Sequence, residues 1–130
     1  EIKMKNKRTQ SEANNFFDIQ LQNFEKFDVL ITKTQIVNNL FSNNMLDCDK
    51  IVGELVVRTR LEGDKIRLKN RGITKSLKKL FTECKTPLNI RNTLPVIADD
   101  EGVVWVHSIG VCQRCAVSPD TKSAYIIDVE

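Results

Sequence analysis

Apolar and polar residues alternate in the first third of the chain. Phe17, Ile19 and Leu21 are separated by single polar residues. Alternation with a period of two is typical of a strand that buries one of its faces. We therefore predict a strand-rich connecting segment over residues 16–54. The polar residues 1–15 ahead of it are predicted to be a linker or lead-in.

A different spacing indicates a helix in the middle of the chain. Four apolar residues at positions i, i+3, i+4 and i+7 share one helical face: Leu77, Leu80, Phe81 and Cys84. Thr74 has a side chain that is suited to capping the start of a helix. The pattern thus predicts an amphipathic helix over residues 75–84, with one buried face.

Proline and turn residues divide the remainder of the chain. Pro87 is suited to the first turn of a short second helix near residues 88–93, and Pro95 must end that helix. Glycine and acidic residues predict turns at 62–64 and 99–102, the first of them a hairpin-like corner. Apolar, β-branched runs predict strands at 55–61, 65–68, 96–98, 103–106 and 124–129. Strands on both sides of a central pair of helices indicate an α+β fold.

The distribution of charge adds a basic segment to this picture. The whole chain has a net charge of +3, a value that many ordinary proteins share. Between positions 58 and 91, however, eleven basic residues stand against three acidic ones, so this segment carries +8 and the rest of the chain −5. Such asymmetry indicates a patch for a polyanionic partner. The alternative interpretation is a solvated surface without a partner.

The candidate ligands for a polyanion are basic residues of this segment. Lys75, Lys78 and Lys79 repeat the helical spacing on a face next to the apolar stripe, where ammonium groups can contact phosphates. The other candidates lie on predicted strands and loops: Lys85, Arg91, Arg67, Arg71 and Arg58.

Arg60 has two interpretations. It shares a strand face with Arg58, because the two residues have the same parity. We favour a structural role, in which Arg60 pairs with Asp64 and fixes the turn that contains Gly63.

The cysteines leave a lesser alternative open. Cys112 and Cys115 form one Cys-x-x-Cys pair, and His107 with Cys84 or Cys48 could complete a four-ligand zinc site. A strong zinc signal would need a second closely spaced pair, which the sequence lacks. The absence of an export signal favours reduced thiols and a cytoplasmic location.

No catalytic group of residues is evident in the sequence. His107 is the only histidine and is predicted to be a structural, hydrogen-bonded group. Trp105 has the parity of Val103 and is expected in the core, while Asp99 and Asp100 are expected to be solvated in their turn. We predict no catalytic residue, no metal site and no cofactor in this chain. No apolar run reaches the roughly 18 residues of a membrane span.

Short phrases between positions 55 and 129 carry a family resemblance. They are Val57-Arg58-Thr59-Arg60 with Gly63-Asp64-Lys65-Ile66, Thr74-Lys75 with Leu77-Lys78-Lys79-Leu80-Phe81, Pro87 and Arg91 with Leu94-Pro95, Val104-Trp105-Val106, and Asp120-Thr121-Lys122. In this order and spacing they resemble the C-terminal domain of bacterial tRNA(Ile)-lysidine synthases. The resemblance implies a sandwich-like α+β domain over residues 55–130, related to a domain of the phenylalanyl-tRNA synthetase β chain.

The resemblance also implies a function. The full-length enzymes of this family are ligases that use ATP and Mg²⁺ to attach lysine to the wobble cytidine of an isoleucine tRNA, which changes its decoding to AUA. Their Ser-Gly-Gly-x-Asp-Ser loop, which binds ATP, is absent from this sequence. We therefore expect a non-catalytic domain that holds the tRNA near its acceptor stem while a separate N-terminal domain performs catalysis.

One alternative to direct tRNA contact follows from the same residues. The basic segment could pack against an acidic surface of the catalytic domain, as a structural interdomain or dimer module. On this interpretation the partners are the catalytic domain or a second copy of the chain in a homodimer.

Overall fold

The computed structural model describes residues 2–4, 19–24, 27–35 and 44–130. Within these ranges the chain forms eleven strands, one α-helix and two short 3-10 helices. The strands are β1 (Ile2–Met4), β2 (Ile19–Phe24), β3 (Phe27–Gln35), β4 (Met45–Asp47), β5 (Leu55–Arg58), β6 (Lys65–Arg67), β7 (Thr74–Ser76), β8 (Val96–Asp99), β9 (Gly102–Val106), β10 (Gly110–Val111) and β11 (Ser123–Val129). The helix α1 spans Leu77–Glu83, and the 3-10 helices span Cys48–Lys50 and Gln113–Cys115.

The strands form two larger sheets and one hairpin, all with antiparallel pairing. The first sheet has the order β1-β5-β8-β9-β10, and the second has the order β2-β3-β11-β4. Within the described ranges, strands β6 and β7 pair with each other and with no further strand. The predicted α+β fold, rich in strands and sandwich-like, is confirmed.

One hydrophobic core joins these layers. It contains Val57 and Val104 of the first sheet, Ile31 of the second sheet, and Leu77 and Phe81 of α1. Each of these five side chains is at most 1% exposed. The predicted burial of Trp105 is also confirmed, since this residue is 5% exposed in the same core. The helix is therefore fixed to the sandwich by its apolar face.

The amphipathic helix begins later than its sequence pattern predicts. Residues Thr74–Ser76 form β7, which pairs with β6, so the predicted cap at Thr74 is wrong. Ser76 is the N-cap instead, and its hydroxyl oxygen accepts a hydrogen bond from the Lys79 amide at 3.1 Å. Cys84 lies beyond the helix and is exposed. The buried stripe therefore has three members rather than four.

The predicted second helix is replaced by consecutive turns. The amide of Ile90 donates to the Pro87 carbonyl at 3.2 Å, and the amide of Thr93 donates to the Ile90 carbonyl at 2.9 Å. Pro95 keeps the residue before it out of the helical region, so only about seven residues remain between the two prolines. So short a segment gains too few hydrogen bonds to offset helix nucleation.

The corner at residues 62–64 turns the chain out of a sheet instead of forming a hairpin. Strand β5 pairs with β1 and β8, whereas β6 pairs with β7. The hairpin-like arrangement that we predicted between β5 and β6 is therefore wrong. After the corner the chain therefore continues in the separate β6–β7 hairpin and not in the first sheet.

The two sheets extend across the predicted segment boundaries. Strand β1 lies in the predicted lead-in, and β11 pairs with β3 and β4 of the predicted connecting segment. Residues 16–18, 25–26 and 36–43 of the predicted connecting segment fall outside the described residues. The boundary at residues 54–55 stays a prediction. Within the described ranges, no helix is long and apolar enough to cross a membrane.

Candidate nucleic-acid interface

The β6–β7 hairpin presents cations on its outer face. Lys65 pairs with Ser76 and Arg67 pairs with Thr74, so these four side chains lie on one side of the hairpin. All four residues are exposed, whereas Ile66 between the two cations is 2% exposed and packs in the core. The alternation of a strand thus directs two basic side chains of β6 towards solvent.

The helix presents two further cations. The amide of Leu77 donates to the Asp64 carbonyl at 3.0 Å, which ties the start of α1 to the corner. Burial of the apolar stripe leaves Lys78 and Lys79 exposed on the opposite side. The predicted basic helix face therefore has two members in α1.

Lys75 belongs to β7 and is held by an ion pair. Its Nζ lies 2.5 and 2.9 Å from the two carboxylate oxygens of Glu83. This hydrogen bond lowers the pKa of Glu83, and the nearby charges of Lys79 and Arg71 lower it further. The charge of Lys75 is thus neutralised within the molecule by Glu83, at the end of α1.

The corner is fixed by Arg58. Its two terminal nitrogens donate to both carboxylate oxygens of Asp64, at 2.7 and 3.1 Å, and each side chain is 12% exposed. Asp64 also accepts a hydrogen bond from the amide of Leu61 at 2.7 Å. Gly63 adopts a φ of +88°, a conformation that glycine tolerates best. The structural role predicted for Asp64 and Gly63 fits this geometry, but the predicted pairing of Arg60 with Asp64 is wrong.

Arg60 occupies a different position. Strand β5 ends at Arg58, so the strand parity that related the two arginines does not extend to Arg60. The Nε of Arg60 donates to Oδ1 of Asn92 at 2.9 Å, and its guanidinium carbon lies 5.4 Å from the centre of the Phe81 ring. Arg60 thus lines a surface groove beside the start of α1.

That groove has a volume of about 480 Å³. It is bounded by the corner, the start of α1 and the turn segment: Arg60, Leu61, Glu62, Gly63, Asp64, Ser76, Leu77, Lys78 and Asn92. The sequence did not indicate this groove, because its walls come from three separate parts of the chain.

Of the remaining predicted ligands for a polyanion, one has a structural role and two are exposed. Arg91 is half-buried, and its Nε donates to the Thr86 carbonyl at 2.8 Å while a terminal nitrogen donates to the Thr82 hydroxyl at 3.2 Å. Arg91 therefore fixes the chain that follows α1. Lys85 and Arg71 are exposed.

Charge pairing leaves the basic segment strongly positive. Two of its three acidic residues, Asp64 and Glu83, are paired with Arg58 and Lys75. Glu62 is the third acidic residue of the segment. We call the following six side chains the exposed basic residues: Lys65, Arg67, Arg71, Lys78, Lys79 and Lys85. They give the hairpin and the helix a positive surface that can approach phosphates.

The Cys-x-x-Cys pair is buried beside the first sheet. Cys112 and Cys115 are 4% and 0% exposed, and the Cys115 thiol donates to the Lys50 carbonyl at 3.4 Å. A hydrogen bond between the two sulfur groups lowers the pKa of Cys112 and raises that of Cys115. Among the described residues, no three His, Cys, Asp or Glu side chains lie close enough together to hold a metal ion.

His107 packs among aromatic rings. Its ring centre lies 5.4 Å from that of Phe27 and 5.9 Å from that of Trp105. Burial lowers the pKa of His107, which favours the neutral imidazole. These contacts with one ring from each sheet fit the predicted structural role, while the predicted hydrogen bond of the His107 side chain stays a prediction.

Comparisons with known proteins identify the family of the basic segment and its surroundings. Residues 55–127 match the model of the TilS substrate C-terminal domain. The chain is 30% identical over 110 residues to the bifunctional protein TilS/HprT of Listeria monocytogenes, an overlap of 84% of this chain and 17% of the relative. It is also 30% identical over 105 residues to a tRNA(Ile)-lysidine synthase of Caldanaerobacter subterraneus, covering 81% of this chain and 22% of that protein. The chain thus spans about a fifth of the length of the curated relatives it matches.

Two solved structures have similar folds. A crystal structure of a TilS C-terminal domain matches with a TM-score of 0.73 and 24% identity, over 85% of this chain and 89% of that one. An N-terminal fragment of the phenylalanyl-tRNA synthetase β-subunit from Pyrococcus horikoshii matches with a TM-score of 0.53 and 22% identity, over 65% of this chain and 26% of that one. These likenesses support the predicted relation between the two domain types at the level of fold.

Proposed function

The chain belongs to the TilS substrate C-terminal domain family, and on this premise we propose that it is the tRNA-recognition domain of a tRNA(Ile)-lysidine synthase. The observation that carries the proposal is the positive surface of the hairpin and helix, which lies within the matched residues 55–127. The whole enzyme would act in the cytoplasm as an ATP- and Mg²⁺-dependent ligase, with its reaction centre in an N-terminal domain.

The exposed basic residues suit the backbone of an RNA duplex. The acceptor stem of a tRNA is an A-form helix, whose deep major groove hides the base edges, so proteins recognise such a helix mainly by its shape, phosphates and 2′-hydroxyls. Lysine and arginine side chains on a rigid hairpin and helix can contact successive phosphates without reading the sequence. We propose the acceptor stem as the bound region for this reason.

Within the segment, we assign phosphate contact to the exposed side chains and structural roles to three others. Lys75 is paired with Glu83, Arg58 with Asp64, and Arg91 with carbonyl and hydroxyl oxygens of its own chain. Moving any of these charges to a phosphate would break an existing bond, which reduces the gain from binding. In the described part of the molecule, Lys78 and Lys79 have no side-chain bond that would have to break before they contact a phosphate.

Changing Lys78 and Lys79 together to alanine is expected to weaken binding of an isoleucine tRNA transcript by about 10- to 100-fold at 0.1 M salt. The slope of log affinity against log salt should fall by about two, because two phosphate contacts are lost. Binding is measured by fluorescence anisotropy across a salt series.

A variant with Lys50 and Lys122 changed to alanine is the matched control. Both lysines are exposed and lie outside the basic segment, and the control has the same net charge as the test variant. Because the Nζ of Lys50 donates to the Ala116 carbonyl at 3.3 Å, urea unfolding is used to verify that the control variant is folded. Equal binding by the two variants would contradict phosphate contact from α1. Binding that requires an added catalytic domain, with none to tRNA by the isolated chain, would favour the interdomain module instead.

A further inference from the structure

Arg60 is held in a fixed orientation at the surface. The Phe81 ring beneath its guanidinium is 0% exposed and belongs to the core, and Asn92 accepts a hydrogen bond from its Nε at 2.9 Å. A guanidinium has five N–H donors, of which Nε supplies one. In the described ranges of the chain, no acceptor is bonded to its two terminal nitrogens. The two terminal nitrogens of Arg60 are thus held in position, and their N–H groups remain available as donors to a ligand.

Arg60 shares its groove with a second cation. Lys78 of α1 lines the same groove, which also contains the hydroxyl-bearing Ser76. The groove volume of about 480 Å³ lies within the range of pockets that hold small ligands. It is large enough to admit one phosphate with its adjoining sugar.

The acidic residues of the groove do not cancel this charge. The carboxylate of Asp64 is already paired with Arg58. Glu62 is exposed and also lines the groove, where its carboxylate opposes an incoming anion. Among the described residues Glu62 has no ion-pair partner, so two cations and one such carboxylate line the groove and leave it positive.

We propose that Arg60 and Lys78 together bind one phosphate of the tRNA backbone in this groove. The inference rests on the proposed function and names a contact site within it. The terminal nitrogens of arginine form a planar fork that matches two oxygens of a phosphate, and lysine adds a single point charge. Because Asn92 and Phe81 already restrict the arginine, little side-chain freedom is lost on binding. Arg60, for which the sequence favoured a structural role, therefore takes an anion-binding role, whereas the candidate Arg58 is paired with Asp64.

Four single substitutions test separately the charges of the groove, the forked geometry of the Arg60 guanidinium and its orientation. Arg60→Ala is expected to weaken binding of an isoleucine tRNA transcript by about 10- to 30-fold and to reduce the salt slope by less than about one, because Lys78 still contacts the same phosphate. Arg60→Lys keeps the charge but loses the fork, so a loss of roughly fivefold with an unchanged slope is expected.

The remaining two substitutions leave both cations in place. Asn92→Ala releases the guanidinium, and we expect about threefold weaker binding with the same salt slope, since no charge is lost. Glu62→Gln removes the opposing carboxylate and is expected to strengthen binding by about two- to threefold. A purely structural role for Arg60 would not produce weaker binding by Asn92→Ala together with stronger binding by Glu62→Gln. Urea unfolding of each variant identifies any loss of binding that arises from loss of folding.

The outcomes distinguish this inference from the proposed function. If Lys78→Ala/Lys79→Ala weakens binding while Arg60→Ala and Asn92→Ala bind like wild type, the phosphate site is overturned and the tRNA-recognition role stands. If the wild-type chain does not bind the transcript at low salt, the proposed function and the site both fail. A decrease for the Arg60 and Asn92 variants with an increase for Glu62→Gln supports the site.

Discussion

Replacing Phe81 with alanine is expected to lower the free energy of unfolding by about 3–5 kcal/mol. The side chain is 0% exposed and packs in the core that joins α1 to both sheets. Its removal leaves a cavity where helix and sandwich meet, so the cost combines lost burial with unfilled space. Urea denaturation followed by circular dichroism measures this loss.

Leu88 provides the matched control for Phe81. It is also a large apolar residue, but it is 78% exposed. Leu88→Ala should change the free energy of unfolding by less than about 0.5 kcal/mol. A loss below about 1 kcal/mol for Phe81→Ala would mean that α1 is not part of the cooperative core.

Replacing Asp99 with alanine is expected to cost about 3 kcal/mol of stability. The Asp99 side chain is 0% exposed and accepts two hydrogen bonds from Arg114, at 2.8 and 2.9 Å. Its oxygens also accept from the amides of Val52 and Glu101, each at 2.9 Å. Loss of the carboxylate therefore disconnects three separate segments. Chemical denaturation near neutral pH measures the difference.

The pH dependence of the stability difference between wild type and Asp99→Ala gives a second test. Burial alone would raise the pKa of Asp99, but the hydrogen bonds from Arg114 and the two amides outweigh burial and lower it. The ionised carboxylate thus stabilises the fold above the pKa of the unfolded chain, and this contribution is lost as pH falls through the lower pKa of the folded state. The gap between wild type and Asp99→Ala should be constant near neutral pH and shrink below about pH 4.

Asp100 serves as the control for this second prediction. It is the next residue in the same turn, and it is exposed. Asp100→Ala should change stability by less than about 0.5 kcal/mol. Similar losses for the two variants would indicate that the turn itself, and not the network of Asp99, is responsible.

The parts of the fold that were predictable depend on local periodicity. The strands around positions 96–98 and 103–106, the buried Trp105 and the apolar face of α1 all follow from side-chain spacing. This spacing reflects which face of a strand or helix is buried. In these elements the buried face is the one that the spacing predicted. The second helix failed because two prolines left too little chain between them.

The roles of the two arginines were not predictable from spacing. Arg58 and Arg60 have the same parity, but the strand ends between them, and the chain then turns through Gly63. Which arginine meets Asp64 depends on the geometry of that turn. The groove at Arg60 additionally needs Asn92 and Phe81, which are more than twenty residues away in sequence.

Asp99 illustrates a further limit of sequence reasoning. Its place in an acidic turn predicted a solvated carboxylate, but the structure buries it against Arg114. A local signal did exist, because aspartate often accepts a hydrogen bond from the amide two residues later, as Asp99 does from Glu101. The pairing with Arg114 is a tertiary contact across fifteen residues and has no local signal.

We propose above that this chain binds the acceptor stem of an isoleucine tRNA through the sugar-phosphate backbone of the RNA. Hydroxyl-radical footprinting of an isoleucine tRNA transcript with the 130-residue chain tests it most directly, since the radical reports which riboses the protein covers. We predict protection of consecutive riboses in the acceptor stem, lost in the Lys78→Ala/Lys79→Ala variant and retained in Lys50→Ala/Lys122→Ala. Protection confined to the anticodon arm, or no protection at saturating protein, would contradict the account.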